Sequence, residues 1–478
     1  MKSAARFSLF ASIAALGLVI VAGCGDDSPS GPVATIPAAP TTFSAVGASA
    51  SQVDLTWVDP ADNEDGFKLF RSTTSGSAGN LVATLGPNTV SFADTGLADT
   101  TTFFYQVFSF NTVGNSATGP TTAATTYKTR AYDKIESFAG TGFALIGPDG
   151  KPPLETPLYS PIDVSFGPDG TPYMIDWNNH RVRSIEGGVV RTVIGTGELG
   201  EAPAGQANAI RLNHPTHVSF GPDGKLYLAA WHNSKVMRMD LGTGYIEPIC
   251  GDGRRAFFGE GVPAATALLD LPVATVFDAM GRMFISDEAN QRIRMIDGAG
   301  IITTVVGTGT AGFSGDNGPA IDARISLPRG QNGVPAGRIE FGPDGTLYLA
   351  DTINNRVRAI DVGGIIRTVA GNGSALYGTD GGDGGPATNG RLNAPTDIAV
   401  ASDGTLYIAD TGNHCVRRVD ADGIISTFAG VGGFPGYDGD GGRRELAHMN
   451  TPYGVAVDAD DNVYISDTYN NLIRIVRK

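Results

Sequence analysis

The sequence predicts an all-β protein, and its composition, its patterning and its internal repetition support this prediction. Glycine contributes 66 of the 478 residues and proline another 28, whereas charged residues make up only 17 %. Short runs of valine, threonine, phenylalanine and tyrosine alternate with clusters of glycine, proline, asparagine and aspartate. This is the pattern of many short strands joined by tight turns. A unit of four such strands then recurs six times from residue 133 to the end.

The first residues have the pattern of an export signal. A positively charged start precedes an apolar run over residues 7–21, and two small residues then precede Cys24. The run is too short for a spanning helix, so we expect residues 1–23 to be a signal peptide. The cysteine in this position resembles the lipobox of bacterial lipoproteins, which implies cleavage before Cys24 and lipidation of its thiol and amino group. Several acyl chains make a stable membrane anchor. The alternative is an ordinary secreted protein.

Residues 24–40 are predicted to be a flexible linker, because Gly, Ser, Pro and Ala dominate and no core can form. Gly25 after the cysteine resembles sorting to the outer membrane or cell surface rather than to the inner membrane, and Asp26 departs from that pattern. The formal charge of −15 speaks against a nucleic-acid partner. We expect an extracytoplasmic, lipid-anchored protein.

Residues 41–128 are predicted to form a small β-sandwich. Val53, Leu55 and Trp57 alternate along one predicted strand, and similar runs follow. With the segments GFKLFRST and TTFFYQVFSFNTVG, the order resembles a fibronectin type III domain. The corner tyrosine of that family falls on Phe103, which lacks the hydroxyl group that bonds back to the chain. The resemblance implies a spacer or docking module with no chemistry of its own.

Residues 133–478 consist of six repeats. Each has an opening proline, a strand, a turn such as GPDG, a second strand ending in an aspartate position, and two further strands. Repeats 1 to 6 are numbered by their opening prolines, Pro161, Pro215, Pro272, Pro328, Pro395 and Pro452. The aspartate position holds Asp176, Ala230, Asp287, Asp351, Asp410 and Asp467. Three residues later stand Asn179, Asn233, Asn290, Asn354, Asn413 and Asn470. These units resemble NHL repeats, which implies a β-propeller.

The two ends of the repeat region predict how the ring closes. Repeat 6 stops after three strands, and its missing fourth strand matches residues 134–140, which resemble residues 424–430 of repeat 5. The N-terminal strand is therefore predicted to complete the last sheet and to remove the exposed edges of an open array. This predicts a propeller of six blades.

Residue types that recur in most of the repeats are predicted to be structural. The aspartate, its asparagine and the arginine five positions after the aspartate (Arg181, Arg292 and Arg356) fit a turn in which arginine pairs with aspartate. The loops at 315–320 and 382–387 also carry aspartates, but they lack the alternating carboxylates of a calcium loop. No cofactor is predicted, and calcium or another divalent metal stays open as the alternative.

Departures from the repeat predict a binding face. The loop between strands 2 and 3 and the long loop between repeats share one face of the ring, called here the loop face. There Trp177 and Trp231 replace the threonine of repeats 4 to 6, with His180 and His232 nearby. Exposed aromatic side chains beside polar groups often mark partner surfaces.

A second candidate site lies two residues after each opening proline, at the predicted mouth of the central channel. The polar members are Asp163, His217, Arg338 (after an insertion) and Asp397. We expect Asp163 to face Arg338, and His217 to face Asp397. Such a mouth could bind a small anion or a metal ion, or perform acid–base chemistry. The alternative is a solvated entrance without a ligand.

The function predicted from these observations is binding rather than catalysis. The resemblance to NHL propellers, which mostly bind proteins or ligands, implies a protein, peptide or glycan partner. No catalytic residue is assigned. The alternative is a gluconolactonase-like hydrolase or an amidating-lyase-like enzyme with a metal or acid–base site at the channel. A zinc site needs about three converging ligands, and His217 is the only histidine in the channel set. Cys250 and Cys415 are predicted to form no disulfide, with Cys250 buried.

Overall fold

The computed structural model describes residues 35–49, 52–98, 101–117, 121–125, 134–330 and 334–478. They fall into two compact units that divide near residue 130. The all-β prediction is confirmed, because the helices among these residues are single 3-10 turns of three residues. None of the described helices has the length and apolar character that crossing a membrane requires. The predicted signal peptide and Cys24 lie outside the described residues.

The first unit is built from two antiparallel sheets. One has three strands in the spatial order Thr41–Ser49, Gln52–Val58 and Ser91–Thr95. The other has four described strands in the order Asn80–Leu85, Gly66–Ser72, Thr102–Phe110 and Thr122–Thr125. Alternate residues point inwards, so that Trp57 packs between Phe43 and Phe67 in the core of the unit. Burial of these aromatic rings stabilises the unit.

The hydroxyl group that Phe103 lacks is supplied two residues further along. Phe103 is buried in the core. Tyr105 donates its phenolic hydrogen to the carboxylate of Asp94 at 2.9 Å, and Asp94 also accepts from Arg71 at 2.8 Å. Burial and the hydrogen bond to Asp94 raise the pKa of Tyr105 above its ordinary value. A buried polar tether is thus present, although it runs to a side chain and not to the backbone.

The described part of the second unit contains six antiparallel sheets, one per repeat, each with four main strands. The first, or inner, strands are Pro161–Phe166, His217–Phe220, Pro272–Phe277, Ile339–Phe341, Asp397–Val400 and Pro452–Val457. The second strands are Pro172–Asp176, Leu226–Ala230, Met283–Asp287, Leu347–Asp351, Leu406–Asp410 and Val463–Asp467. The third strands are Arg181–Glu186, Lys235–Met239, Arg292–Ile296, Arg356–Ile360, Cys415–Val419 and Leu472–Val476. The outer strands are Val189–Ile194, Tyr245–Cys250, Ile301–Val306, Ile365–Ala370, Ile425–Ala429 and Ile135–Ala139.

Short elements complete the sheets. Two-residue strands extend the outer edges of repeats 2, 3 and 4, at Gly205–Gln206, Val262–Pro263 and Gly318–Pro319. A 3-10 turn follows the second strand in five repeats of the described region, at Trp177–Asn179, Trp231–Asn233, Thr352–Asn354, Thr411–Asn413 and Thr468–Asn470. Six further turns lie in the long loops, at Pro153–Glu155, Ala207–Ala209, Ala264–Thr266, Ala320–Asp322, Ala387–Asn389 and Arg444–Leu446.

The inner strands lie side by side around a central channel. Each contacts the inner strands of the two adjacent repeats, and that of repeat 6 contacts that of repeat 1. Ile135–Ala139 pairs antiparallel with Leu472–Val476, so that the first described strand of this unit is the outer strand of the last sheet. Apolar side chains fill the spaces between neighbouring sheets; for instance, Ile175 of repeat 1 and Leu228 of repeat 2 belong to the same buried cluster.

The predicted pairing of the arginine five positions after the aspartate is wrong. Arg292 and Arg356 instead donate to carbonyl oxygens of the long loops, those of Thr308 and Asn372, at 3.0 and 2.9 Å. The arginine seven positions after the aspartate makes the ion pair instead. It stands on the third strand, and its long side chain reaches the aspartate at the end of the neighbouring second strand. These pairs are Arg183–Asp176, Arg294–Asp287, Arg358–Asp351, Arg417–Asp410 and Arg474–Asp467.

Each of these buried arginines also binds an acid of the preceding long loop. The loop partners are Asp149, Glu260, Asp316, Asp383 and Asp440. Asp316 and Asp383 belong to the recurring loops of the sequence, and both also accept hydrogen bonds from the outer strand, from Thr368 and Thr427. Their carboxylates therefore join loop, third strand and outer strand.

Repeat 2 lacks both members of the ion pair. Ala230 stands in the aspartate position and Met237 in the arginine position, and both are buried. The backbone N–H of Asn213, whose counterparts bind the aspartate elsewhere, donates instead to Oδ1 of Asn233 at 2.9 Å. An unpaired buried charge is costly, whereas replacing both partners by apolar groups is often neutral. The chain itself therefore contains the apolar alternative to the ion pair.

This natural replacement gives a stability prediction. Arg358→Met leaves the carboxylates of Asp351 and Asp316 without their cation, and we expect the free energy of unfolding of the second unit to fall by about 3–5 kcal/mol. Adding Asp351→Ala should restore part of that loss. Urea titrations of the variants measure both effects.

The matched control is Arg356→Met, whose guanidinium bonds neutral carbonyl oxygens and should cost only about 1–3 kcal/mol. A double variant as unstable as Arg358→Met alone would contradict the account.

Candidate functional site

The prediction that both tryptophans are exposed on the loop face is wrong. Trp231 is 1 % exposed and Trp177 is half-buried. The indole N–H of Trp231 donates to Oε2 of Glu288 at 2.6 Å, and Trp177 packs against apolar residues on both sides. The physical reason is that the position after the aspartate points inwards in other repeats as well, where Thr352, Thr411 and Thr468 are buried.

The predicted histidines lie beside these tryptophans, together with a third histidine. His232 stacks on Trp231, with ring centroids 4.0 Å apart. His214, from the loop before repeat 2, lies between them: its Nδ1 is 3.1 Å from Nδ1 of His232, and its backbone N–H donates to Nδ1 of His180 at 3.3 Å. Sequence reasoning missed His214 because it stands in a loop outside the repeated positions.

Burial favours the neutral form of two of these histidines, His214 and His180, by lowering their pKa values. It lowers the pKa of His214 to about 3, with repulsion from His180 and His232 adding to the effect, and it lowers the pKa of His180. Within the described ranges no three His, Cys, Asp or Glu side chains are grouped as metal ligands. The three histidines pack beside the two indole rings at the loop face of repeats 1 and 2.

The channel residues predicted from the sequence do come together. Nη1 of Arg338 donates to Oδ1 of Asp163 at 2.5 Å and to Oδ2 of Asp397 at 3.1 Å. The expected proximity of Asp163 and Arg338 is thus present, whereas Asp397 pairs with Arg338 rather than with His217. Nδ1 of His217 accepts a long hydrogen bond of 3.5 Å from the backbone of Thr275.

Arg338 crosses the channel from repeat 4 to repeats 1 and 2. Its Nη2 donates to the carbonyl oxygens of Ile162 and Thr216 at 3.0 and 2.6 Å. The side chain is 3 % exposed. It therefore closes the channel near the loop face. Of the described residues before it, Ala336 is buried and Val334 packs against the apolar cluster between repeats 1 and 2.

Beyond Arg338 the channel widens into a cavity of about 360 Å³. Its polar end is formed by Asp163, His217, Glu340 and Asp397. Its other end is reached where the inner strands give way to their turns, at Phe166, Phe220, Phe277, Val400 and Val457. Between the ends lie valines, Ile398 and the hydroxyl groups of Ser165 and Ser219. The cavity thus lies on the side of Arg338 away from the loop face; the face it approaches is called here the turn face.

Glu340 and His217 are the cavity groups with free hydrogen-bonding capacity. In the described structure the Glu340 carboxyl accepts from the backbone of Phe341 and has no side-chain partner. His217 has one weak acceptor contact, at Nδ1. Ser165, by contrast, donates to the carbonyl oxygen of Val218, and Ser219 shares a hydrogen bond with Thr275. Two polar side chains are therefore available to a ligand.

Burial and neighbouring charges decide the protonation of these groups. Burial, together with the carboxylates of Asp397 and Asp163, raises the pKa of Glu340 to about 8. Burial raises the pKa of Asp397 to about 6, with the opposing attraction of Arg338 limiting the rise. Burial lowers the pKa of His217 to about 4. At neutral pH the cavity therefore presents a protonated carboxyl group and a neutral imidazole.

Glu340 was missed in the sequence, although a signal for it exists. It stands two residues after Arg338, and alternate residues of a strand share a face. Ser165 and Ser219 stand in the same relation to Asp163 and His217. The alternation of side chains along the inner strands therefore predicts a second ring of channel positions, two residues after the first.

Comparisons with known proteins agree with this architecture. Residues 366–437 match the family model of the teneurin NHL domain, and residues 449–476 match that of the NHL repeat. Teneurin-m of Drosophila melanogaster is 26 % identical over 349 residues, which are 67 % of this chain and 12 % of that protein. Human Teneurin-1 is 27 % identical over 352 residues, again 12 % of its length. The predicted resemblance to NHL repeats is confirmed for these two segments. The chain spans only a small part of these relatives.

Solved structures share the fold at low sequence identity. A protein of unknown function from Bacteroides thetaiotaomicron superposes with a TM-score of 0.54 at 15 % identity, covering 93 % of this chain and 98 % of that one. An auxiliary nutrient binding protein from the same organism gives a TM-score of 0.51 at 17 % identity, covering 92 % and 97 %. Both comparisons support the predicted β-propeller.

The raised pKa of Glu340 gives a prediction for the pH dependence of stability. Between pH 4.5 and about pH 8 the folded state keeps a proton on Glu340 that the unfolded chain releases. The stability that this proton contributes is complete below pH 4.5 and is lost as the pH rises through about 8. The free energy of unfolding of the wild type, relative to Glu340→Gln, should therefore fall across this range.

Urea unfolding at a series of pH values measures this difference. Glu155→Gln, which removes an exposed carboxylate outside the cavity, is the control and should run parallel to the wild type. Parallel curves for Glu340→Gln and the wild type would contradict the assignment of a protonated Glu340.

Proposed function

We propose that the chain is an extracytoplasmic binding protein whose propeller takes a small polar ligand into the central cavity. The observation that carries this proposal is the blind cavity itself. Arg338 closes it towards the loop face, and at its polar end Glu340 and His217 keep hydrogen-bonding capacity that no other side chain uses. Ligand sites are typically concave, with a few polar groups that converge on the space inside. This cavity has that arrangement.

We propose further that residues 133–478 form a six-bladed NHL propeller closed by its N-terminal strand. The ring of inner strands and the pairing of Ile135–Ala139 with Leu472–Val476 support this. For residues 41–128 we propose a fibronectin type III-like sandwich. Its support is the three-plus-four arrangement of strands around Trp57. No chemistry is assigned to this domain.

The geometry favours the cavity over the tryptophan face as the ligand site. The indole N–H of Trp231 is engaged by Oε2 of Glu288, and His232 stacks on the indole. In the cavity, by contrast, polar groups face open space. The structural neighbour described as an auxiliary nutrient binding protein shares the fold, and that description is consistent with a binding role here.

A cavity-filling substitution tests this proposal. Ser219→Phe and Ser219→Ala both remove the hydrogen bond to Thr275, but only phenylalanine occupies the cavity. Neutral monosaccharides, amino acids, amines and carboxylates are screened by thermal unfolding. We expect at least one class to raise the Tm of the wild type and of Ser219→Ala by about 2 °C or more, with no rise for Ser219→Phe.

Two results would count against cavity binding. One is that no member of this panel stabilises the wild type. The other is that the stabilisation survives unchanged in Ser219→Phe when that variant keeps the fold, as judged by its circular dichroism.

We also propose that the protein is anchored to the outer membrane or cell surface through lipidated Cys24. The apolar run before Cys24 and its small flanking residues support this. Cells expressing the chain should incorporate labelled palmitate into the protein, and Cys24→Ala should abolish the label because the acceptor thiol is gone. Cys250→Ala is the control, since Cys250 is a buried free thiol, and it should keep the label. Label retained in Cys24→Ala would contradict the anchor.

A further inference from the structure

The charges at the polar end of the cavity do not balance. Three acids, Asp163, Asp397 and Glu340, line the cavity, whereas the single cation Arg338 lies behind the two aspartates with 3 % of its side chain exposed. His217, the other titratable group there, is neutral. With Glu340 protonated the group carries one net negative charge, and with Glu340 ionised it carries two. Either way the cavity faces a ligand with negative potential.

The same arrangement disfavours an anion. Both terminal nitrogens of Arg338 are already engaged, with Asp163 and Asp397 on one and the carbonyl oxygens of Ile162 and Thr216 on the other. An anion would meet carboxyl groups before it met the guanidinium. A bare metal ion is disfavoured as well, because Asp397 already accepts hydrogen bonds from Ile398 and Val455 besides Arg338.

The rest of the cavity is suited to an alkyl group carrying a positive charge. Phe166, Phe220 and Phe277 are partly exposed and stand where the inner strands end at the turn face. Their rings offer apolar surface to the methylene and methyl groups of an organic cation. Aromatic rings also attract cations.

We propose that the cavity binds a small organic ammonium ion, with its charged nitrogen beside Glu340 in the negative field of Asp163 and Asp397 and its alkyl part towards the phenylalanines at the turn face. This inference rests on the proposed function, since it names the ligand class of the same cavity. When the ligand binds, the positive charge of the ammonium ion takes the place of the proton on Glu340. The O–H bond of the carboxyl group breaks, its proton leaves to solvent, and the ammonium ion becomes the counter-ion of the carboxylate. No other bond forms or breaks.

Three probes of matched shape and different charge test the proposal. Choline is positive, 3,3-dimethylbutan-1-ol is its neutral counterpart, and 3,3-dimethylbutanoate is negative. Titration calorimetry of the full chain at pH 7 should show choline binding at least about tenfold more tightly than the alcohol, with no binding of the anion. The choline enthalpy should differ between phosphate and Tris buffers in the direction of proton release. The affinity for choline should rise with pH, as Glu340 is ionised more easily.

The variant Glu340→Gln distinguishes the role of this residue. It keeps the size of the side chain but has no proton to release, so proton release should disappear and choline should bind about tenfold more weakly. Glu155→Gln should leave both quantities at the wild-type values, and Ser219→Phe should abolish choline binding. Thermal unfolding of each variant shows whether the fold is intact.

The outcomes separate this inference from the proposed function. Equal affinity for choline and the alcohol, or proton release that persists in Glu340→Gln, overturns the ammonium site and leaves cavity binding standing. The same holds when choline fails to bind but a sugar or another member of the ligand panel binds in a Ser219→Phe-sensitive manner. Failure of the probes and of the whole panel overturns both.

Discussion

The arrangement around Arg338 is the constraint on which the centre of this molecule depends. One guanidinium group joins repeat 4 to carboxylates of repeats 1 and 5 and to backbone carbonyl groups of repeats 1 and 2. A charge this deeply buried needs partners for each of its donors. The chain supplies acceptors for both terminal nitrogens from three other repeats, 1, 2 and 5, and in doing so it closes the channel at one end. The cavity is what remains on the other side.

Away from the channel, a second set of buried charges holds each repeat together. An arginine of the third strand binds the aspartate at the end of the second strand and an acid of the long loop, as in Arg358 with Asp351 and Asp316. Repeat 2 omits the pair and uses Ala230 and Met237 instead. The ion pair is thus one of two solutions to the same packing problem. Its repetition reflects scaffold requirements and carries no information about a ligand.

Much of the fold could be predicted from the sequence because the six repeats can be compared with one another. Prolines, turns and the aspartate–asparagine pair fix where strands begin and end, and the likeness of residues 134–140 to residues 424–430 identifies the strand that pairs with the chain end. Buried polar partners were harder to assign. The spacing alone does not show whether the arginine five positions or the one seven positions after the aspartate forms the ion pair.

The candidate site was only partly predictable for related reasons. Asp163, Arg338 and Asp397 were found because each occupies the same position of its repeat, whereas Glu340 requires the alternation of a strand to be followed one step further. Trp177 and Trp231 were predicted to be exposed because repeats 4 to 6 have threonine at the same position. The threonines they replace are themselves buried: Thr411 and Thr468 donate to backbone carbonyl groups of the next repeat. A change of residue type indicates a local difference, but exposure depends on the direction of the backbone.

The functional account depends on the negative potential that faces the cavity, and the ionisation of Glu340 reports that potential directly. Carbon-13 NMR of the Glu340 carboxyl group, assigned by its loss in Glu340→Gln, follows its protonation across the pH range. The account predicts a carboxyl group that is protonated at pH 7 and titrates near pH 8, and that ionises at lower pH when choline is added. A carboxylate already ionised at pH 5, and unchanged by choline, would contradict it.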